Sequence, residues 1–197
     1  PLSVIFRLFG ISEVSLTIYP FLISVMGIVF AFISGRLLFN VNAGLITAAI
    51  WAVLPLDVKF ATSFLPDVPA SFYASLSITV ILFLTYYSSE NKFFSFLGGL
   101  MGGLLFGISW LSKESVTYLV PFCGILMFVS IKKNGKTAIS LWLGVAIASA
   151  GVLFSEMFVY YFFKGDLLLR MHENERSFVQ TKSYLFYEGS RFGWPVG

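Results

Sequence analysis

Long apolar runs dominate this chain, and short polar stretches interrupt them. A helix needs about 20 apolar residues to cross the hydrocarbon core of a bilayer. Helices satisfy their own backbone hydrogen bonds, so runs of this length predict helices rather than strands. Six spans are predicted, at 14–33, 41–56, 68–87, 93–111, 116–131 and 138–163, the second of them short. Ahead of the first, "PLSVIFRLFGISE" mixes Arg7 and Glu13 with bulky apolar residues, which predicts a helix lying in the membrane interface. After the sixth, residues 164–197 carry five basic and four acidic residues and belong in water or among headgroups. Tyr184, Tyr187, Phe192 and Trp194 in that stretch suit the membrane surface.

The pattern predicts an all-α fold, a polytopic transmembrane helical bundle of about six spans plus an interfacial N-terminal helix. It divides the chain into a transmembrane region, 1–163, and an extracytoplasmic loop segment, 164–197.

Composition agrees. The chain is 57% hydrophobic and 12% charged, whereas a soluble domain is about a quarter charged. One Cys and one His exclude a disulfide framework and a Cys-based or multi-histidine metal site. A net charge of +3 without a basic run gives no reason to expect nucleic acid. The chain opens on Pro1 without a signal-peptide pattern, and is read as an internal fragment of a longer membrane protein.

Loop charge predicts orientation. One set of alternate loops carries Arg36, Lys92, Lys132, Lys133 and Lys136 against Glu90; the other carries Lys59 and Lys113 with Asp57, Asp67 and Glu114. The positive-inside rule puts the first set in the cytoplasm and the second outside it. Chemistry at the second set would then be extracytoplasmic. ATP or nucleotide sugars are poor candidates for donors there, and no phosphate-cradling glycine loop is present.

Several residues could carry chemistry, and each has a plainer role. Asp67 in "SFLPDVPAS" suits a helix N-cap with Pro69 in the first turn. It equally suits a functional carboxylate, and a capped Asp is well oriented. Lys113 and Glu114 in "SWLSKESV" form either a polar hairpin at the interface or, through Lys113, a point cation for a lipid phosphate. Gly98 and Gly102, and Gly99, Gly103 and Gly107, have the four-residue spacing of close helix packing in lipid. Glu156 is an acid near the end of a span, either functional or simply wetted.

In order and spacing these features resemble the GT-C class of membrane glycosyltransferases, within it the protein O-mannosyltransferase and lipid A aminoarabinose transferase superfamily. The resemblance rests on "RLFGISE" along the membrane, the "GRLLF" turn, a short helix ending in "LPL", "LPDVPASF", "GLLFGISWLSKES" and "YYFFKGDLLLR". It implies an enzyme that moves a sugar, hexosyl or pentosyl, with inversion, from a polyprenyl-phosphate carrier to a lipid, glycan or protein acceptor on the extracytoplasmic face of a prokaryotic cell membrane. It makes Asp67 the second acidic position of the catalytic site and expects the principal base in a loop before Pro1. It makes Lys113 the lysine near the carrier phosphate. Glu114 beside it and Asp166 of the "GD" pair complete the substrate-binding set, with Leu167 where the family usually has Pro. No cofactor is implied with certainty; a divalent metal is compatible. A polytopic transporter or a non-catalytic assembly subunit is the alternative, and a transporter would show broken mid-membrane helices and an internal repeat.

Overall fold

The computed structural model describes residues 10, 13–54, 66–87, 91–170 and 172. Asp57, Lys59, Glu90, nearly all of the expected interfacial helix and residues 173–197 lie outside these. The chain forms two compact units, Pro1–Val152 and Leu153–Gly197.

The described elements are α1 (Glu13–Leu38), α2 (Val41–Val53), α3 (Asp67–Tyr87), α4 (Lys92–Ser112), a 3-10 turn (Glu114–Leu119), α5 (Val120–Asn134) and α6 (Lys136–Lys164). Among the described residues there is no strand. Among the described residues, five segments are long and apolar enough to cross a membrane: Thr17–Leu38, Asp67–Tyr87, Lys92–Ser112, Glu114–Asn134 and Lys136–Lys164.

The expected second span is the exception. Its helix, α2, has 13 residues, about 20 Å at 1.5 Å per residue, short of the ~30 Å hydrocarbon core. Leu54, just before Pro55, is already extended (φ −66°, ψ 115°). A residue preceding proline is driven out of the helical region, so the apolar run outlasts the helix. Six expected spans become five plus one short apolar helix.

Side-chain chemistry sets the helix ends. The Asn40 side chain caps α2 by accepting from the Ala43 N–H (2.9 Å), and Asn91 caps α4 by accepting from the Phe93 N–H (2.9 Å). Gly135 ends α5 at φ +54°, in the left-handed region that favours glycine.

Contacts give the directions in the first unit. Gly35 meets Gly44 and Gly27 meets Trp51, so α2 runs back along α1. Ser34 and Thr79 share a hydrogen bond of 2.8 Å, and Ile23 packs with Val68 and Phe72, so α3 runs parallel to α1. The Ser77 hydroxyl donates to Gly102 O (2.8 Å) and the Ser109 hydroxyl to Ala70 O (2.6 Å), so α4 is antiparallel to α3. α6 runs parallel to α4, because Gly99, Gly103 and Gly107 face Leu141, Val145 and Val152 in turn.

The glycines work as their spacing predicts. A Cβ on Gly99 or Gly103 would collide with the carbonyls of Leu141 and Val145, and one on Gly107 would sit 2.6 Å from Val152 Cβ. Gly98 and Gly102 form a neighbouring stripe against Leu84 and Ile81 of α3. Close backbone approach replaces the hydrophobic effect, which lipid cannot supply between helices.

The core lies where α3, α5 and α6 meet, around Ile81, Leu82, Leu126, Leu141, Trp142 and Val145. Trp142 Nε1 donates to Ser130 Oγ there (2.6 Å), so the buried indole is satisfied. Outward-facing Phe21, Leu22, Val25, Leu143 and Ile147 are exposed, as lipid-facing residues should be.

The first unit therefore has two chemically distinct ends. One holds the start of α3 and the end of α4, with Asp67, Lys113 and Glu114. At the other, among the described residues, are Arg36, Lys92, Lys132, Lys133 and Lys136 without an acid. Lys133 Nζ lies 3.7 Å from the centroid of the Tyr86 ring there, and Asn134 Nδ2 donates to Thr85 O (2.6 Å).

Candidate functional site

The sequence "LPDVPAS" builds one half of the site. The Pro66 carbonyl accepts from the Ala70 N–H at 3.1 Å, so α3 is counted from Pro66 and Asp67 is its first helical residue. Asp67 is therefore not the N-cap that local sequence suggests. Its carboxylate accepts a hydrogen bond from Lys113 Nζ, 46 residues along the chain. Pro69 falls in the first turn, where a missing N–H costs little. A carboxylate in that turn also suits the positive end of the helix dipole.

"SWLSKESV" builds the other half. α4 stops at Ser112, and Lys113 turns extended (φ −159°, ψ 132°) with its N–H on Ser109 O at 3.1 Å. The 3-10 turn begins at once with Glu114, whose carbonyl accepts from Thr117 Oγ1 at 2.6 Å. This sharp change of path swings the Lys113 side chain onto the start of α3. Glu114 itself is half-buried, with Oε1 shielded from solvent.

The pair is partly open. Lys113 keeps 41% of its side chain exposed and Asp67 29%. Both charges therefore remain within reach of a polar ligand. The backbone beneath is closed: Ser109 and Ser77 are fully buried, and Val116 packs with Ala70 and Ala74 beside Phe106 and Leu119.

The second unit holds Glu156 and Asp166. Glu156 Oε1 accepts from Arg170 Nη1 (2.6 Å) and from the Tyr160 hydroxyl (3.2 Å). The acid near a span end is thus neutralised by a cation reaching back from beyond the helix. Gly165, at φ +69°, lets the chain leave α6 and turn. Asp166 then accepts from the Leu168 N–H with Oδ1 (2.9 Å), and its Oδ2 lies 2.8 Å from His172 Nδ1. Asp166 thereby organises the turn after α6.

Among the described residues no group of three or more His, Cys, Asp or Glu side chains is assembled. Asp67 faces an ammonium rather than a second carboxylate. These residues do not make a divalent-metal site among themselves.

Loop charge and the family resemblance put Asp67 and Lys113 on one face, and the fold brings them into direct contact. Sequence reasoning passed over Arg170 and Ser109. Arg170 stands 14 residues from Glu156 and across a turn, so no local spacing reveals the pair. Ser109 carries only the weak signal of a small polar residue on a packed helix face.

Five long apolar helices with a charged, partly open pair at one end define a polytopic membrane protein with a polar site at a bundle end. The chain belongs to the family described as dolichyl-phosphate-mannose-protein mannosyltransferase, which matches residues 2–164. It is thus an integral-membrane glycosyltransferase, and a glycosyl donor, an acceptor and membrane lipids are its partners. No curated protein and no solved structure matches it.

Proposed function

We propose that the protein transfers a sugar from a polyprenyl-phosphate carrier to an acceptor on the extracytoplasmic face of the membrane. The observation that carries this reading is the Asp67–Lys113 pair, held partly open at the bundle end opposite the cluster of Arg36 and four lysines. The basic end fits the cytoplasm by the positive-inside rule. The pair then faces the side where lipid-linked sugars, rather than nucleotide sugars, are the available donors.

The chemistry is an inverting displacement. An acceptor oxygen attacks the anomeric carbon, its proton passes to a carboxylate base, and the bond from that carbon to the phosphate oxygen breaks. The electron pair leaves on the phosphate. The donor phosphodiester carries one negative charge; the departing monoester carries about −1.5 to −2 at pH 7. A cation at that oxygen is favoured more in the transition state than in the ground state, the condition for catalysis. Lys113 is the cation suited to that place. Asp67 holds it there before the donor arrives and stands as the second acid of the site. The principal base is expected from a separate extracytoplasmic loop. Glu114 lines the polar mouth beside Lys113, the family resemblance keeps Asp166 of the second unit as a substrate-binding residue, and grooves between the apolar helices take the prenyl chain.

The test uses membranes carrying the full-length chain and radiolabelled polyprenyl-phosphate mannose. Lys113→Ala should lower transfer by ~100-fold or more, the scale of removing one charge-stabilising donor. Undiminished transfer in both Lys113→Ala and Asp67→Ala, with protein present at the normal level, would overturn the assignment.

A further inference from the structure

Lys113 is flanked by two buried contacts that both end on Ala70, one turn into α3 from Asp67. Four residues before Lys113, the Ser109 hydroxyl donates to Ala70 O at 2.6 Å with none of the residue exposed. Three residues after it, Val116 packs on Ala70 and Ala74 in a small cluster of its own. The ammonium and the carboxylate are themselves partly exposed, and a solvated lysine has many rotamers to lose. What fixes the relation between the two backbones is therefore the layer beneath the pair.

We infer that Ser109, together with Val116, is a positioning residue for the transfer reaction: its bond to the Ala70 carbonyl sets the register of α4 on α3 that delivers the Lys113 ammonium to the donor phosphate. A second serine bond serves as an internal comparison. Ser77 Oγ donates to Gly102 O at 2.8 Å across the same interface, equally buried, about two turns farther from the charged end. If register at the tip is what matters, the two bonds differ in function although they are alike in chemistry. Helix ends are freest to splay, so a latch one turn from the end governs the tip more than one in mid-helix.

The inference rests on Lys113 being the phosphate-binding cation. The experiment measures the affinity of the purified full-length chain for a short-chain polyprenyl phosphate, alongside thermal stability. Ser109→Ala is expected to weaken affinity about fivefold, the fold-change of one lost hydrogen bond. Val116→Ala keeps that bond, loosens the other flank and should act in the same direction, so the test does not hang on one variant folding. Ser77→Ala should lower thermal stability to a similar extent and leave affinity unchanged. In a Lys113→Ala background Ser109→Ala should have no further effect on affinity, because a residue acting through Lys113 has nothing left to position. Equal affinity losses from Ser77→Ala and Ser109→Ala overturn the inference, as does a Ser109→Ala loss that persists without Lys113. Unchanged affinity in Lys113→Ala alone is a different result: it removes the phosphate reading itself, and the inference with it.

Discussion

Lys113 donates a hydrogen bond to Asp67 at the point where α4 ends and α3 begins. Each residue alone has an ordinary explanation, one as an interfacial lysine and the other as a helix-start acid. Their meeting makes a neutral, partly open unit, which on the proposed reading a phosphate enters by replacing the carboxylate at the ammonium.

The first prediction concerns charge form at that pair. Lys113→Arg keeps the charge but replaces a compact ammonium with a planar fork, so it should retain part of the transfer activity that Lys113→Ala loses. Asp67→Asn keeps the shape and frees the ammonium. It should change the Michaelis constant for the lipid donor more than Lys113→Arg does. Steady-state rates over a range of polyprenyl-phosphate mannose concentrations separate the two effects.

Product binding gives a second prediction. In the proposed reaction the released polyprenyl monophosphate carries more negative charge than the donor diester, so it should inhibit competitively and bind more tightly than the donor. Lys113→Ala should abolish that preference. Inhibition by polyprenyl phosphate, compared between the two proteins, checks it.

Glycine packing gives a third. Gly103→Ala places a Cβ against the Val145 carbonyl and within 2.9 Å of Ala148 Cβ, and should destabilise the bundle by about 1–3 kcal/mol, the usual cost of overpacking. Gly151→Ala, whose Cβ would meet open space, should be neutral or stabilising because alanine is the better helix former. Thermal unfolding in detergent distinguishes the two.

The Glu156–Arg170 bond gives a fourth. Their side chains are 14% and 22% exposed. Removing one partner strands a largely buried charge, so Arg170→Ala should cost about 1–3 kcal/mol. Pairing it with Glu156→Gln should restore much of the loss, as a double-mutant cycle would register.

Orientation is open to direct labelling. With the single cysteine, Cys123, replaced by serine, an impermeant maleimide added outside intact cells should label Tyr118→Cys. That position is 85% exposed beside the Lys113 turn. Lys136→Cys, at the basic end, should react only after permeabilisation. The reverse pattern would invert the topology.

Much of the bundle was legible because lipid allows few ways to cross it, and long apolar runs are nearly sufficient evidence of a spanning helix. The glycine stripes were legible for a similar reason, since four-residue spacing means one face. The 41–56 segment, read as the short one, is shorter still as a helix, because apolar composition continues past Val53 while a residue before proline leaves the helical region. Asp67 was misplaced by one position as a cap, because local sequence cannot tell a side-chain cap from a backbone one. The direct Asp67–Lys113 contact, the Ser109–Ala70 bond and the Arg170 partner of Glu156 were not legible. Each depends on which helices lie side by side, and that information is spread across the packing surfaces of the whole bundle.

The two adjacent glycine stripes of α4 have one more consequence. With Gly98 and Gly102 seated on the Leu84 and Ile81 side chains of α3, and Gly99 and Gly103 on the backbone of α6, the middle of this helix resists rolling and sliding. It acts as a shaft keyed along its middle, with Lys113 at the freer tip. Adjustment during turnover then falls to the Lys113 side chain and, on the proposed reading, to the incoming lipid.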